Sequence, residues 1–217
     1  MKKYFIVVPV ILALLFAVVK FSIYTESLSE RTEREQMLQF NPTERVAYAW
    51  EHHLESLEAE ALSLESFLNS YQSDPQELAK KSARVLGIGS NFFYVVTGQA
   101  VHLHFQDDFL WMTPLREDGQ EWPMEICVPV QYIFGNLARD ASGWFNIDDF
   151  KNTITFNEVS ACMNQYIREN VVAGLEDKTQ GRERCRFCVA VEVNKDLKGS
   201  QILPETLEVI PYVLNFE

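Results

Sequence analysis

Residues Tyr4 to Val19 run without a charge, and Phe21 to Tyr24 carry the apolar stretch beyond Lys20 to 21 residues. That is the length of a bilayer-spanning helix, so whatever follows is expected to fold beside a membrane. Lys20 can snorkel its ammonium to the interface, and Tyr4 and Tyr24 stand at the level where interfacial aromatics belong. Pro9 falls in the first turns, where such a helix tolerates it. A cleaved secretory signal is the competing reading, since Lys2 and Lys3 form a basic start ahead of the apolar run. Phe21-Ser22-Ile23-Tyr24 sets bulky side chains where a signal peptidase takes small ones, which favours an anchor that is kept. The first cysteine is Cys127, so no lipid-bearing cysteine stands near the N-terminus. Lys2 and Lys3 precede the span, and a mixed Glu26, Glu30, Arg31, Glu33, Arg34 and Glu35 follow it. The basic excess places the short N-terminal end in the cytoplasm and the rest outside.

Thirty-one Asp and Glu against nineteen Lys and Arg leave a net charge of −12. Such a field repels nucleic-acid phosphates and anionic lipid headgroups, so no nucleic-acid partner is expected. With 47% hydrophobic residues the chain has material for a full core, and four cysteines are too few for a disulfide scaffold.

Residues 1–25 are read as the anchor and 26–40, charged and weakly periodic, as a stalk. Asn41-Pro42-Thr43-Glu44 is a helix start, with Asn as cap and Pro at the first helical position. Ala47, Trp50, Leu54, Leu57, Ala61, Leu64, Leu68 and Tyr71 then recur at steps of three and four, a seam that must pack on something. The start signature recurs at Asp74-Pro75-Gln76-Glu77, and the helix it opens is expected to run to Gly87. Residues 41–88 are thus read as a helical hairpin. From Phe92 the period changes, with Phe93, Val95, Val101, Leu103 and Phe105 on one face of an extended run that Gly98 kinks or bulges. Asp107-Asp108 supplies a turn, and strands are expected at Phe109 to Thr113 and Glu125 to Phe134. Phe156, Val159, Met163, Ile167 and Val171 or Val172 return to helical spacing; Arg184 to Val193 and Leu207 to Leu214 read as two more strands. Three strands, a helix and two strands is the order of the OB-fold. Residues 89–217 are therefore expected to form an OB-like five-stranded barrel, with a helix between strands 3 and 4, in an α+β protein. A different α+β half-barrel is the alternative.

The stretch Phe134-Gly135-Asn136-Leu137-Ala138-Arg139-Asp140-Ala141-Ser142-Gly143 is followed by Asp149-Phe150-Lys151-Asn152 and by Asn157-Glu158-Val159 with Asn164. Together these resemble the signature region of an uncharacterised bacterial family of predicted periplasmic lipoproteins, often encoded beside sugar-type ABC transporter genes. The helical region with Trp50, the Tyr94 to Val101 strand and Leu203-Pro204-Glu205-Thr206-Leu207 are similar too, so the likeness spans most of the chain after Phe40. It implies an extracytoplasmic OB-like domain. With the anchor, the expected location is the bacterial inner membrane, single-pass, with the C-terminal domain in the periplasm. The chain departs from the lipoprotein pattern in lacking the N-terminal cysteine, and it carries Asn152-Thr153 where the family more often shows Asn-Gln.

Arg139 and Asp140 fall in a glycine-flanked turn after a strand, where a guanidinium fork can clamp a carboxylate or a pair of sugar hydroxyls. The competing reading is an internal lock, with Arg139 bonding Asp148, Asp149 or backbone carbonyls while Asn136 and Asn152 satisfy loop backbone. The lock is favoured, because a buried Arg is normally paired. Trp111 and Trp122, with Trp144 and Phe145, are candidates for stacking on a sugar face or gripping a partner. His102 and His104 alternate on a strand and share a face, with Asp107 and Asp108 close behind; a metal can be imagined there, but a solvated strand face is the simpler reading. Cys185-Arg186-Phe187-Cys188 has redox or zinc spacing, yet residues three apart on a strand face opposite sides. No catalytic residue, metal or cofactor is assigned. The expected function is a membrane-tethered extracytoplasmic binding or accessory module, touching membrane lipid through residues 4–24 and taking a protein partner or small polar ligand. A metal-assisted hydrolase using His102 and His104, and an assembly protein pairing through the helical seam, are the alternatives.

Overall fold

The computed structural model of the protein describes residues 41–85, 91–194 and 204–217. The expected anchor and stalk lie outside these residues, and among those described no helix is long and apolar enough to cross a membrane. Pro42 to Glu217 form one compact unit, so the helical segment and the sheet belong together.

The sheet is built from β1 (Leu62–Ser63), β2 (Asn91–Gln106), β3 (Phe109–Pro114), β4 (Glu125–Pro129), β5 (Arg184–Asn194), β6 (Thr206–Glu208) and β7 (Ile210–Phe216). Its order is β6-β4-β3-β2-β5-β7, with β1 beside β2. The long β2 serves two neighbours: Asn91 to Val101 pair antiparallel with β5, and Ala100 to Gln106 with β3. A strand that changes partner along its length forces the sheet to curl. At the far ends, β6 runs parallel to β4 and β7 antiparallel to β5, and Val209 alone separates β6 from β7. The Val209 N–H donates to the Cys127 carbonyl at 3.0 Å, so one stretch of chain bonds both edges of a curled half-barrel. The single strand expected at Leu207 to Leu214 is therefore two, because its backbone bonds are divided between β4 and β5. The third barrel strand ends at Pro129, short of Phe134.

Helices α1 (Pro42–Glu60), α2 (Leu64–Ser73) and α3 (Pro75–Ser82) replace the expected two-helix hairpin. The break falls where Leu62 and Ser63 pair in parallel with Val96 and Thr97, and Ser63 Oγ then caps α2 by accepting from Ser66 N at 3.1 Å. Sheet pairing takes the backbone there, although the helical period runs on through it. Asp74 caps α3 as its motif predicts, accepting from Gln76 N and Glu77 N at 3.1 and 2.9 Å. That helix stops at Ser82 rather than Gly87 because Arg84 exchanges both backbone bonds with Phe93, at 2.8 and 3.0 Å.

The rest of the helical layer is α4 (Leu137–Ser142), α5 (Thr153–Tyr166), which continues as a π-helical turn over Ile167–Val171, and α6 (Leu175–Thr179). The helix α5 lies between the third and fourth barrel strands, as in the OB order. The seam of α1 runs through Val46, Ala49, Trp50 and Leu57, and continues in α2 through Leu64, Phe67, Leu68 and Tyr71. Ala47 is exposed and Leu54 half-buried, so the stripe begins one residue earlier than expected. It packs on α5 and on the sheet. Trp50 meets Trp144 at 5.3 Å, Tyr166 at 4.7 Å and Tyr212 at 5.7 Å between ring centroids, which joins α1 to β7. The seam is thus occupied within the chain, which removes the ground for pairing through it.

Gly98 marks a close approach and not a bulge: a Cβ there would lie 2.6 Å from Phe187 Cζ and 3.3 Å from Leu64 Cβ. The bulge of β2 falls between Val101 and His104, with His102 in left-handed backbone at φ 55°.

Candidate functional site

The six residues Leu137 to Ser142 make α4, and all but the first are buried. A buried helix end must place its carbonyls on donors, and here four of the last five are accounted for. Tyr212 Oη donates to the Ala138 carbonyl at 2.6 Å, and Ser142 Oγ to that of Arg139 at 2.8 Å. Arg84 donates to the carbonyls of Ala141 and Ser142. Gly143 closes the helix at φ 64°, and an added Cβ would press on the Arg84 guanidinium at 3.1 Å. Both the conformation and the space call for glycine.

Arg139 is 3% exposed and Asp140 6%. Arg139 Nε and Nη2 both lie 2.7 Å from Asp140 Oδ1, and Nη1 donates to the Phe156 carbonyl at 3.1 Å and to Asn157 Oδ1 at 3.2 Å. The guanidinium stands 3.7 Å above the Phe156 ring. Burial raises the pKa of the Asp140 carboxyl above its ordinary value, and the bonds and charge of Arg139 pull it partly back. This is a lock between α4 and α5; of the expected acceptors it uses a backbone carbonyl, that of Phe156, and in place of Asp148 or Asp149 it uses Asp140 and Asn157. Asn164 Nδ2 adds a bond to the Gly135 carbonyl at 2.9 Å, and Arg168 to that of Ile133 at 2.6 Å.

The other candidates disperse. Asn152 caps α5 by accepting from Thr155 N at 2.9 Å, and Asn136 is exposed at the start of α4 without capping through its side chain. Trp111 is half-buried, donating to the Gln106 carbonyl at 3.2 Å and stacking on His104, and Trp122 is core, with Arg116 4.3 Å above its ring. The bulge sends the two histidines to different partners: His102 Nε2 lies 2.8 Å from Glu121 Oε1, and His104 Nδ1 lies 3.2 Å from the His102 carbonyl. Among the described residues no three His, Cys, Asp or Glu come together as a cation site. Cys185 and Cys188 are buried free thiols, each pushed up to about 12 by burial; Cys127, likewise buried, goes to about 11.

What the structure does assemble is a cleft of about 470 Å³ between the α1–α2 junction and the outer face of the sheet. Gln99, Arg186 and Asn215 form one cross-strand row over β2, β5 and β7. Leu64, Phe187 and Val213 give it apolar surface, and Glu58, Glu65 and Glu117 stand with Arg116 in its lining. Glu65 Oε2 accepts from Glu117 N at 2.7 Å, tying the first turn of α2 to the segment after β3, and Arg186 Nε lies 3.3 Å from Glu217 Oε1. Arg116 Nε is buried without a hydrogen-bond partner among the described residues. The volume suits a small molecule. Three carboxylates oppose a simple anion and two guanidinium groups a simple cation, so the lining fits a neutral molecule carrying both donors and acceptors. None of these residues adjoins another in sequence except around Ser63 to Glu65, Thr97 to Gln99, Leu115 to Glu117 and Arg186-Phe187. No local motif announces the cleft, and Arg84 and Tyr212, which secure α4, carry no sequence signal either.

The crystal structure of an OB-fold protein from Thermotoga maritima resembles this chain with a TM-score of 0.67 at 24% identity, covering 82% of this chain and 99% of that one. That likeness concerns the fold, and it agrees with the half-barrel and the position of α5. The family model described as predicted periplasmic lipoprotein (DUF2291), whose function is unknown, matches residues 8–211. The signature stretch whose carbonyls and charges are locked together in α4 thus sits within a match over almost the whole chain, and the protein belongs to this family of predicted periplasmic lipoproteins.

Proposed function

We propose that this protein is an extracytoplasmic accessory module that holds a small neutral polar ligand in the cleft between the α1–α2 junction and the row Gln99, Arg186 and Asn215. Family membership implies an extracytoplasmic, membrane-anchored protein. We assign the anchoring to the apolar stretch Tyr4 to Tyr24, crossing the inner membrane once. The observation that carries the ligand reading is Arg116: a guanidinium stacked on Trp122, lining the cleft, with Nε buried and unpartnered among the described residues. Buried donors of this kind are costly unless something accepts from them.

The association with solute transport that the resemblance implies sets the order of screening, sugars and polyols first. Melting of the full chain in detergent against such a panel tests the reading. A true ligand at a hundred times its Kd stabilises by about 2.7 kcal/mol. Asn215→Ala, at an exposed position, is expected to cut the shift without changing the ligand-free melting temperature. A panel without any shift, or a shift indifferent to Asn215→Ala, refutes the assignment of the cleft.

A further inference from the structure

Tyr132 and Phe134 expose 69% and 78% of their surface, while Ile133 between them is buried. Their backbone is fixed on both sides, by Arg168 on the Ile133 carbonyl and by Asn164 on that of Gly135. Two aromatic rings displayed on a tied backbone lose little conformational freedom when something covers them. Among the described residues the other exposed large apolar side chains, Val85 apart, lie in the same helical layer: Tyr48 on α1, Ile147 in the turn leading to α5, and Ile154 in its first turn.

The start of α1 is close by. Thr43 Oγ1 lies 3.5 Å from Cys162 Sγ on α5, and Asn164, two residues further along that helix, holds Gly135. Two residues are about 3 Å of helix rise, and a helix with its side chains is roughly 10–12 Å across. Thr43 and the aromatic pair therefore flank α5 at nearly one level. Seventeen residues separate Tyr24 from Pro42, and even fully extended they reach no more than about 60 Å. A tether of that length keeps the domain confined near the membrane that holds the anchor.

We infer that Tyr132 and Phe134 dock on the surface of that bilayer, entering its interfacial layer. The inference rests on the membrane anchoring and is independent of the cleft. Tyr132 carries the amphipathic ring favoured at this depth, and Phe134 adds a purely apolar ring beside it. Two rings cover roughly 300–500 Å², well short of the ~800 Å² per partner that a stable protein interface needs. A tether removes most of the cost of bringing so small a patch to its target. The net charge of −12 opposes anionic headgroups, so the attraction comes from the rings and not from charge.

The test is photo-crosslinking of the full chain in native membranes, with p-benzoylphenylalanine placed at Phe134 and, as a control, at exposed Val85. A phospholipid adduct at position 134 is expected at least fivefold above that at 85, and Tyr132→Ser should lower it severalfold at an unchanged melting temperature. Equal yields at the two positions, or a discrete protein adduct in place of lipid at 134, overturn the docking. Sedimentation of the same sample separates the two failures: chain left in the soluble fraction overturns the anchor and the docking together, whereas sedimenting chain without the adduct overturns the docking alone.

Discussion

Replacing Arg139 by Ala tests whether the signature stretch is an internal lock. The substitution removes the donors of Asp140, of the Phe156 carbonyl and of Asn157, and the cation above the Phe156 ring. At 3% and 6% exposure water does not take their place without opening the fold. Breaking a buried pair by removing one partner costs about 3–5 kcal/mol. For a unit of this size that is a fall in melting temperature of roughly 6–20 °C. The sign with pH follows from Asp140, whose pKa in the folded protein is raised by burial and partly restored by Arg139. A carboxyl with a raised folded pKa contributes stability that is complete below its unfolded value, near 3.8, and lost as pH rises through the folded value. Without Arg139 the folded pKa rises further, so the deficit of the variant should be smaller near pH 4 and should widen toward pH 7. Adding Asp140→Asn to Arg139→Ala should recover part of the loss at pH 7, because no buried charge is then left alone. Urea unfolding across that pH range provides the measurement. A variant melting with the wild type refutes the lock and returns Arg139 to the list of ligand contacts; a deficit independent of pH refutes the role given to Asp140.

Leu57→Asp places a carboxylate in the contact between α1 and the sheet and should destabilise by several kcal/mol, read by denaturant unfolding; unchanged stability would mean that the seam faces outward. Alkylation at pH 8 should modify Cys162 first, as the half-buried thiol, and leave Cys127, Cys185 and Cys188 intact until the protein unfolds, since burial holds those three at about 11, 12 and 12. Mass spectrometry of the labelled peptides decides it, and early loss of Cys185 would show that β5 opens.

Signals carried by neighbours in sequence were readable. Asp74-Pro75 opens a helix because cap and fixed φ are local, and the alternation of period marked which segments became β2, β3 and β5. Long-range claims on the backbone were not. Ser63 leaves the helical period because β2, over thirty residues later, pairs with it, and Arg84 leaves α3 for Phe93 for the same reason. Arg139 reads as a lock because a guanidinium in such a turn needs acceptors, and one of the expected backbone carbonyls, that of Phe156, is among them; Asp148 and Asp149 are near only in sequence, whereas Asn157 is near in space. The shared face of His102 and His104 fails at a bulge that no residue type there demands. The cleft draws on residues from Glu58 to Asn215, so it exists only once the sheet is curled.

The strand divided at Val209 has a consequence for how the molecule comes into being. A chain delivered N-terminus first presents β2, β3, β4 and β5 with two open edges, and neither can be closed until Thr206 to Phe216 arrives. Open edges recruit other strands, so a nascent chain of this design is most vulnerable to mispairing just before it is finished. Trp50, held back until Tyr166 and Tyr212 reach it, keeps the helical layer waiting on the same late event. Slow, all-at-once closure from distant contacts is the expected kinetic signature, with the barrel edges a natural place for a holding chaperone to bind.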